Sequence, residues 1–243
     1  MELIMIDTLE QFPITQRWET KNPDKLQLYT LHTPNGAKVA ITLEELNLDY
    51  EVHKVTFDNE SQKTPEFISL SPNGKVPAII DPRGPNGKPI GLFESAAIMM
   101  YLADKTGNLL PQEATKRWEV LQWLLLQNTS IGPMFGQFGH FYKVMAGELK
   151  DTYSLNRYGN EVRRLFGVLD HQLSGQEWLA ANQFSIADIA VAPWIWTMKE
   201  IYRGEDVIQV ADFKNVERWY AQVIKRPSWS KGLFVAKSNY GYE

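Results

Sequence analysis

The chain has 243 residues, of which 44% are apolar and 12% are aromatic, so it can build one large domain or two smaller ones, each with its own core. Its formal net charge of −4 offers no basic surface for nucleic acid or an anionic membrane. No apolar run approaches the roughly 20 residues of a membrane span. The sequence contains no cysteine, which excludes disulfides, thiolate metal sites and cysteine nucleophiles. Any thiol chemistry must therefore use a thiol that the ligand brings.

Residues 1–25 show no sustained hydrophobic period and contain Pro13 and Pro23. They predict an extension that packs on the first domain or trails from it. Residues 1–10 lack the basic start of a signal peptide, so we expect a cytoplasmic location.

A strand–helix–strand unit follows the extension. Residues 26–31 alternate like a strand, residues 33–36 predict a turn that opens a helix, and the helical spacing ends near Asn47. Residues 50–55 return to strand alternation. This order favours a parallel pair of strands with a right-handed crossover.

The next segment predicts a short helix over residues 65–68 and a β-hairpin formed by residues 75–80 and 90–93. Pro77 stands at the opening of the first hairpin strand, where a proline removes a ladder hydrogen bond. Ser95 is expected to be the N-cap of the helix that follows the hairpin.

Beyond residue 110 the spacing of apolar residues is helical only. A long helix near Trp118, interrupted at residues 132–136, precedes helices over 155–173, from Ser185, and over 216–223. Ser185 and Asp188 have the spacing of a capping box. The fold class is therefore α/β plus all-α, with an extension at 1–25, an α/β domain at 26–108 and an all-helical domain with a C-terminal tail at 109–243.

Two short segments have the chemistry of a peptide-binding site. A serine hydroxyl and backbone amides at a helix start bind a carboxylate while an adjacent acid pairs with an ammonium, so Glu94 and Ser95 suit an α-amino acid end. Taken alone, this pair is better explained by a plain helix start with an acidic residue beside its N-cap. If the Val76–Pro77 bond is cis, as we expect, the Val76 backbone can pair with an incoming peptide. An edge-strand proline without a role is the alternative.

Thr33 and Asn35 stand where the first strand ends and the first helix begins. Either side chain can donate a hydrogen bond to a thiolate, which favours the charged form and lowers the pKa of the thiol. Ordinary turn chemistry explains the same residues. Metal ligation is not expected, because the histidines lie far apart without ligand spacing.

The order and spacing of these motifs resemble the glutathione transferase family. The matching segments are Thr33-Pro34-Asn35-Gly36, Gly74-Lys75-Val76-Pro77-Ala78, Glu94-Ser95 and Ser185-Ile186-Ala187-Asp188. Three further segments are similar to the nu-class bacterial enzymes and to the fungal transferases related to the yeast prion-forming nitrogen regulator. These are Thr33 to Val39, Gly136-Gln137-Phe138-Gly139-His140-Phe141 and Asn156-Arg157-Tyr158.

The resemblance implies a thioredoxin-like N-terminal domain, a helical-bundle C-terminal domain and glutathione as the co-substrate. Glu94 and Ser95 would hold the γ-glutamyl end of glutathione, and Val76, followed by Pro77, would pair with its cysteinyl part. Lys75 and Gln62 would reach the glycyl carboxylate. The resemblance also implies a homodimer, with the first domain of one chain against the helical domain of the other.

Family members commonly activate the thiol with Tyr, Ser or Cys, whereas this chain offers Asn35 and Thr33. That difference favours reduction of disulfides or peroxides over conjugation to an electrophile. Possible second-substrate residues are Gln137, His140, Phe141 and Arg157, although core packing of the aromatics and a solvated arginine are alternatives. A non-catalytic binding or regulatory protein on the same fold is the alternative function.

Overall fold

The computed structural model describes residues 8–146 and 152–237, so residues 1–7 of the predicted extension lie outside the described part. The chain forms two units. The first comprises residues 8–102 and 231–237, and the second comprises residues 103–146 and 152–230. The predicted domain boundaries near residues 25 and 108 stay a prediction. The return of residues 231–237 to the first unit is a feature that the sequence did not indicate.

The first unit is built on a four-stranded mixed sheet, which confirms the predicted α/β class. Strands β1 (Leu26–Thr30), β2 (Tyr50–Lys54), β3 (Ala78–Asp81) and β4 (Ile90–Phe93) lie in the order β2-β1-β3-β4. Strands β1 and β2 are parallel, and β3 is antiparallel to both β1 and β4. The helices that begin in this unit are α1 (Pro34–Glu45), α2 (Pro65–Leu70) and α3 (Ser95–Thr106).

Helix α1 begins directly at the segment that the sequence predicted as a turn. Thr33 is the N-cap, and its Oγ1 accepts a hydrogen bond from the Gly36 backbone N at 3.1 Å. Pro34 occupies the first helical position, where its missing N–H leaves no donor unpaired. Residues 33–36 are therefore the first turn of the helix rather than a separate turn.

Two further local predictions need correction. Strand β3 starts at Ala78 rather than at residue 75, because Pro77 has no N–H to give to the ladder. Ser95 is the first residue of α3 rather than its N-cap, since the Ile98 backbone N donates to the Glu94 carbonyl at 3.0 Å. The Val76–Pro77 peptide bond is cis, as predicted.

The described part of the extension packs on the first unit. Ile14 is fully buried and Leu9 nearly so, in one cluster with Tyr29 and Phe67. The Trp18 ring lies edge-on to both aromatic rings at centroid distances of 6.1 Å. Of the two alternatives for residues 8–25, packing is the one observed.

The second unit is helical, with no strand among its described residues, which confirms the predicted all-α class. Its helices are α4 (Ala114–Leu126), α5 (Gly132–Gly139), α6 (Tyr153–Gln172), α7 (Ile186–Trp196), α8 (Glu205–Ile208) and α9 (Lys214–Val223), and α10 (Pro227–Leu233) follows them. Short π-helical segments at Gln127–Ile131, His140–Val144 and Thr197–Tyr202 extend three of them. The expected interruption at residues 132–136 is absent, and the chain stays helical there.

Asp188 connects three parts of the second unit: the start of α7, the segment at Leu179 and helix α9. It completes the predicted capping box with Ser185, accepts from the Leu179 backbone N at 3.0 Å, and accepts from Trp219 Nε1 at 2.8 Å. Its side chain is fully buried, and this burial raises the pKa of Asp188 to about 6. The predicted structural role of Asp188 is confirmed by these bonds.

Residues 231–237 include the end of helix α10, and Gly232 of that helix packs closely against the backbone of α1. A Cβ atom built on Gly232 would lie 2.5 Å from both the Cα and the N of Ile41. Backbone atoms in a packed helix have no room to retreat, so only glycine permits this approach.

We predict that Gly232→Ala lowers the free energy of unfolding by about 1–3 kcal/mol, because the added methyl group forces α10 away from α1. Gly167→Ala is the matched control, since its new Cβ would meet Phe213 Cε1 at an ordinary 3.9 Å within α6. That control should gain about 0.5–1 kcal/mol from helix propensity. Urea denaturation of both variants measures the difference, and equal stabilities would contradict the packing argument.

Candidate functional site

The sheet register gathers the predicted site residues of the first unit at one end of the sheet. Tyr29 of β1 pairs with Ala78 of β3, and Ala78 pairs with Phe93 of β4. The segment after β1, the segment before β3 and the segment after β4 therefore leave the sheet side by side. These three segments carry Thr33 and Asn35, Lys75 to Pro77, and Glu94 with Ser95.

Asn35 is the second residue of α1, and its side chain is partly exposed. No described residue forms a hydrogen bond with that side chain, so its amide is available to a ligand. The Thr33 oxygen accepts from Gly36 N, which leaves the hydroxyl hydrogen able to donate elsewhere. Both predicted thiol donors thus lie at the positive end of α1.

The segment before β3 is held by a side-chain hydrogen bond. Ser71 Oγ donates to the Lys75 carbonyl at 2.8 Å, and Lys75 is exposed while Val76 and Pro77 are buried. A Cβ built on Gly74 would lie 3.2 Å from the Gln62 carbonyl, so Gln62 lies beside this segment. Gln62 Oε1 is buried without a hydrogen-bond partner among the described residues. Such an acceptor has lost water without compensation, which suits a site that a ligand donor completes.

Glu94 and Ser95 lie at the start of α3, where Glu94 is exposed to solvent and Ser95 is buried. Ser95 is 4% exposed, whereas Glu94 is exposed and has a left-handed backbone with φ of 66°. A non-glycine residue in this region carries strain that often marks a binding site. Glu94 is therefore accessible to a ligand from solvent, and the residue next to it in the chain carries a buried hydroxyl.

Lys38 is a residue that the sequence analysis left without a role. It lies in α1 and is fully buried, and burial lowers the pKa of its ammonium to about 7, with the Glu94 carboxylate opposing that effect. A lysine among the apolar residues of an amphipathic helix is the signal that could have revealed it. Gly36, which also contributes to this region, lies so close to the Leu31 carbonyl that a Cβ would approach it to 2.3 Å.

The four predicted second-substrate residues lie in the second unit. Phe141 stacks on Tyr158 with a centroid distance of 5.5 Å, and His140 lies edge-on to Phe141 at 5.3 Å. Arg157, next to Tyr158 on α6, lines a cavity of about 660 Å³. The cavity is lined by Met134, Tyr153, Asn156, Arg157, Tyr158, Asn160, Glu161 and Arg164. Gln137 is exposed on α5 and does not line it.

In residues 8–146 and 152–237, no set of three or more His, Asp or Glu side chains is placed to hold a metal ion. No helix in the same ranges combines the length and apolarity that crossing a membrane demands.

Two family models match the chain. The model described as the glutathione S-transferase N-terminal domain matches residues 24–104, and the model of its C-terminal domain matches residues 133–227. Among characterised proteins, the disulfide-bond oxidoreductase YfcG of Escherichia coli is 40% identical over 87% of this chain and 96% of its own length. Glutathione S-transferase 1 of Schizosaccharomyces pombe is 35% identical over 85% of this chain and 93% of its own.

Solved structures agree with the family models. A glutathione transferase of Pseudomonas putida, with one glutathione disulfide bound per subunit, has a TM-score of 0.93 and 50% identity over 95% of this chain and 100% of its own. A glutathione transferase of Burkholderia graminis, with two glutathione molecules bound per subunit, has a TM-score of 0.93 and 49% identity over 98% and 99%. With both domains matched in order and these relatives covering most of its length, the chain belongs to the glutathione S-transferase family.

Proposed function

We propose that this protein binds glutathione and uses its thiolate to reduce disulfides, with peroxide reduction as a related activity and weaker conjugation to electrophiles. The observation that carries the proposal is the convergence of three segments at one sheet end in a chain without cysteine. One segment suits an amino-acid end and another offers donors to a thiolate. The names and bound ligands of the relatives, among them a disulfide-bond oxidoreductase and a complex with glutathione disulfide, support the same chemistry.

Each part of glutathione has a matching group at this end of the sheet. The Glu94 carboxylate suits the α-ammonium of the γ-glutamyl residue, and the Ser95 hydroxyl with the first amides of α3 suits its α-carboxylate. The Val76 backbone suits the cysteinyl peptide. Lys75 suits the glycyl carboxylate by charge, and Gln62 lies beside Lys75 through its contact with Gly74.

The reaction needs two glutathione molecules because the chain has no thiol of its own. The bound thiolate attacks one sulfur of the substrate disulfide, so that a mixed disulfide forms and the other half leaves as a thiolate. A second glutathione thiolate then attacks the glutathione sulfur of the mixed disulfide. This step releases glutathione disulfide and the second substrate thiolate, and glutathione is the reductant throughout.

The second-substrate site is proposed in the helical unit. Arg157 offers a positive charge on a cavity of about 660 Å³. Phe141 stacks on Tyr158 of its lining, and His140 lies against Phe141. Gln137 stays a candidate by its position on α5. An acidic co-substrate or a second glutathione matches the charge of Arg157.

A homodimer and a cytoplasmic location are parts of the proposal. Trp118 and Leu125 of α4 are 63% and 48% exposed and lie with Gln122 on one helical face, which is typical of an interface. A cytoplasmic location fits because glutathione keeps that compartment reducing.

The function is tested with glutathione against hydroxyethyl disulfide, a peroxide and a chloronitrobenzene in steady-state assays. We expect the highest rate with the disulfide. Binding without turnover on any of the three would favour the alternative of a non-catalytic glutathione-binding protein.

Ser95→Ala should weaken glutathione binding by about 1–3 kcal/mol, the usual scale for removing a buried polar partner, whereas Ser174→Ala, at an exposed serine, should leave the affinity unchanged. Calorimetry that finds equal affinities would remove Ser95 from the site.

The pKa of the bound glutathione thiol distinguishes the proposed roles of Asn35 and Thr33. We expect Asn35→Ala to raise the pKa of bound glutathione and slow disulfide reduction near neutral pH, because a donor to the thiolate is lost. Thr33→Ala should have the smaller effect. The ultraviolet absorbance of the thiolate, titrated with pH in both variants, measures the shift. A shift in Thr33→Ala alone would reverse the assignment, and no shift in either would leave the backbone amides of α1 as activators.

Light scattering tests the dimer. We expect a mass of twice the monomer value of 27.9 kDa at micromolar concentration. Trp118→Glu should shift the protein toward the monomer, since it places a charge in the proposed interface. Val207→Glu is the control, because Val207 is also exposed, at 52%, but lies on α8. A wild-type protein of monomer mass would exclude the dimer.

A further inference from the structure

Lys38 is a fully buried lysine within the first unit, and the reaction proposed above does not use it. A buried ammonium loses its hydration, so lysine is almost never fully buried without a compensating partner. The positions next to it in α1, from Ala37 to Ile41, are also buried. Lys38 therefore needs a group that compensates its buried charge.

The helix geometry directs Lys38 toward the candidate site. Side chains in an α-helix lean toward the N-terminus, and residues three apart share a face. Lys38 follows Asn35 by three residues, so its stem runs back toward the first turn of α1. That turn follows β1 at the sheet end where Glu94 lies. The Glu94 carboxylate is the charge that favours the ammonium form of Lys38.

Glu94 is exposed to solvent, whereas Lys38 is fully buried. The backbone of Glu94 has a left-handed φ of 66°, and its carbonyl accepts the first hydrogen bond of α3 from Ile98 N. Glu94 is thus an exposed carboxylate whose charge acts on a buried cation of α1. A carboxylate has about four acceptor sites on its two oxygens, enough to serve a lysine and a ligand at once.

We propose that Lys38 is a positioning residue for Glu94, whose carboxylate it holds in the orientation that accepts the α-ammonium of glutathione. This inference rests on the proposed function, because it concerns how the γ-glutamyl end is selected. The competing explanation is a purely structural lysine that joins α1 to the start of α3. Loss of a structural lysine would lower stability without changing which ligand is preferred.

The test compares glutathione with its analogue that lacks the α-amino group, by titration calorimetry. We expect the wild-type protein to prefer glutathione by about tenfold or more, the scale of one charge-assisted hydrogen bond. Lys38→Met keeps the length of the side chain and removes its charge, and it should reduce the preference to about threefold or less. Lys38→Gln, which can still donate to the carboxylate, should give an intermediate preference. Lys225→Met, at an exposed lysine of the other unit, should match the wild type.

Glu94→Gln tests the same proposal by a second substitution that leaves residue 38 itself unchanged. It should lose most of the preference by itself, and adding Lys38→Met should cause little further loss, because both changes remove the same interaction. A folded Lys38→Met protein with the wild-type preference would overturn the proposal, as would additive losses in the double variant. If the wild type binds neither compound, the proposed function itself fails. If it binds both equally, only the role of Glu94 and Lys38 fails.

Discussion

The pairing of Tyr29 with Ala78, and of Ala78 with Phe93, is the constraint on which the candidate site depends. A strand register is specified by which side chains face the core, so a slip by one residue would turn every side chain to the opposite face. With this register, three segments that lie between Thr33 and Ser95, up to 62 positions apart, leave the sheet at the same end. The site is therefore a consequence of strand pairing, and each of its groups is placed by the backbone.

Close packing around α1 supports this arrangement. Gly36 lets the first turn approach the end of β1, and Gly232 lets α10 approach the middle of the helix. Helix α1 is thus fixed at its start and along its length, with Lys38 buried between these two contacts. A rigid support suits a site whose donors must meet a thiolate at hydrogen-bond distance, because small displacements weaken such bonds steeply.

The helical unit shows which features can be predicted from short-range sequence patterns and which cannot. The capping box of Ser185 and Asp188 was predictable, since it needs only a spacing of three residues before an apolar run. The bonds from Leu179 and Trp219 to Asp188 were not, because they join residues 9 and 31 positions away. Gly132 and Gly136 predict an interruption, yet the helical stretch is continuous there and both glycines pack beside the Trp194 ring, which a Cβ atom on either would meet at 3.5 and 3.6 Å. A glycine in the sequence shows only that a side chain is absent. Its neighbours in the folded structure decide whether the helix ends there or another residue packs closely against it.

The sequence by itself determined the class of both units, the strand–helix–strand order, the hairpin and the short motifs at Thr33, Val76 and Glu94. These features depend on hydrophobic period, turn residues and caps, which act over a few positions. The tertiary structure decided that these motifs meet at one sheet end, that Gln62 lies beside Gly74, and that Lys38 is buried near Glu94. It also returned residues 231–237 to the first unit. Burial and long-range pairing are properties of the folded chain, since they depend on which distant segments exclude water from a given side chain.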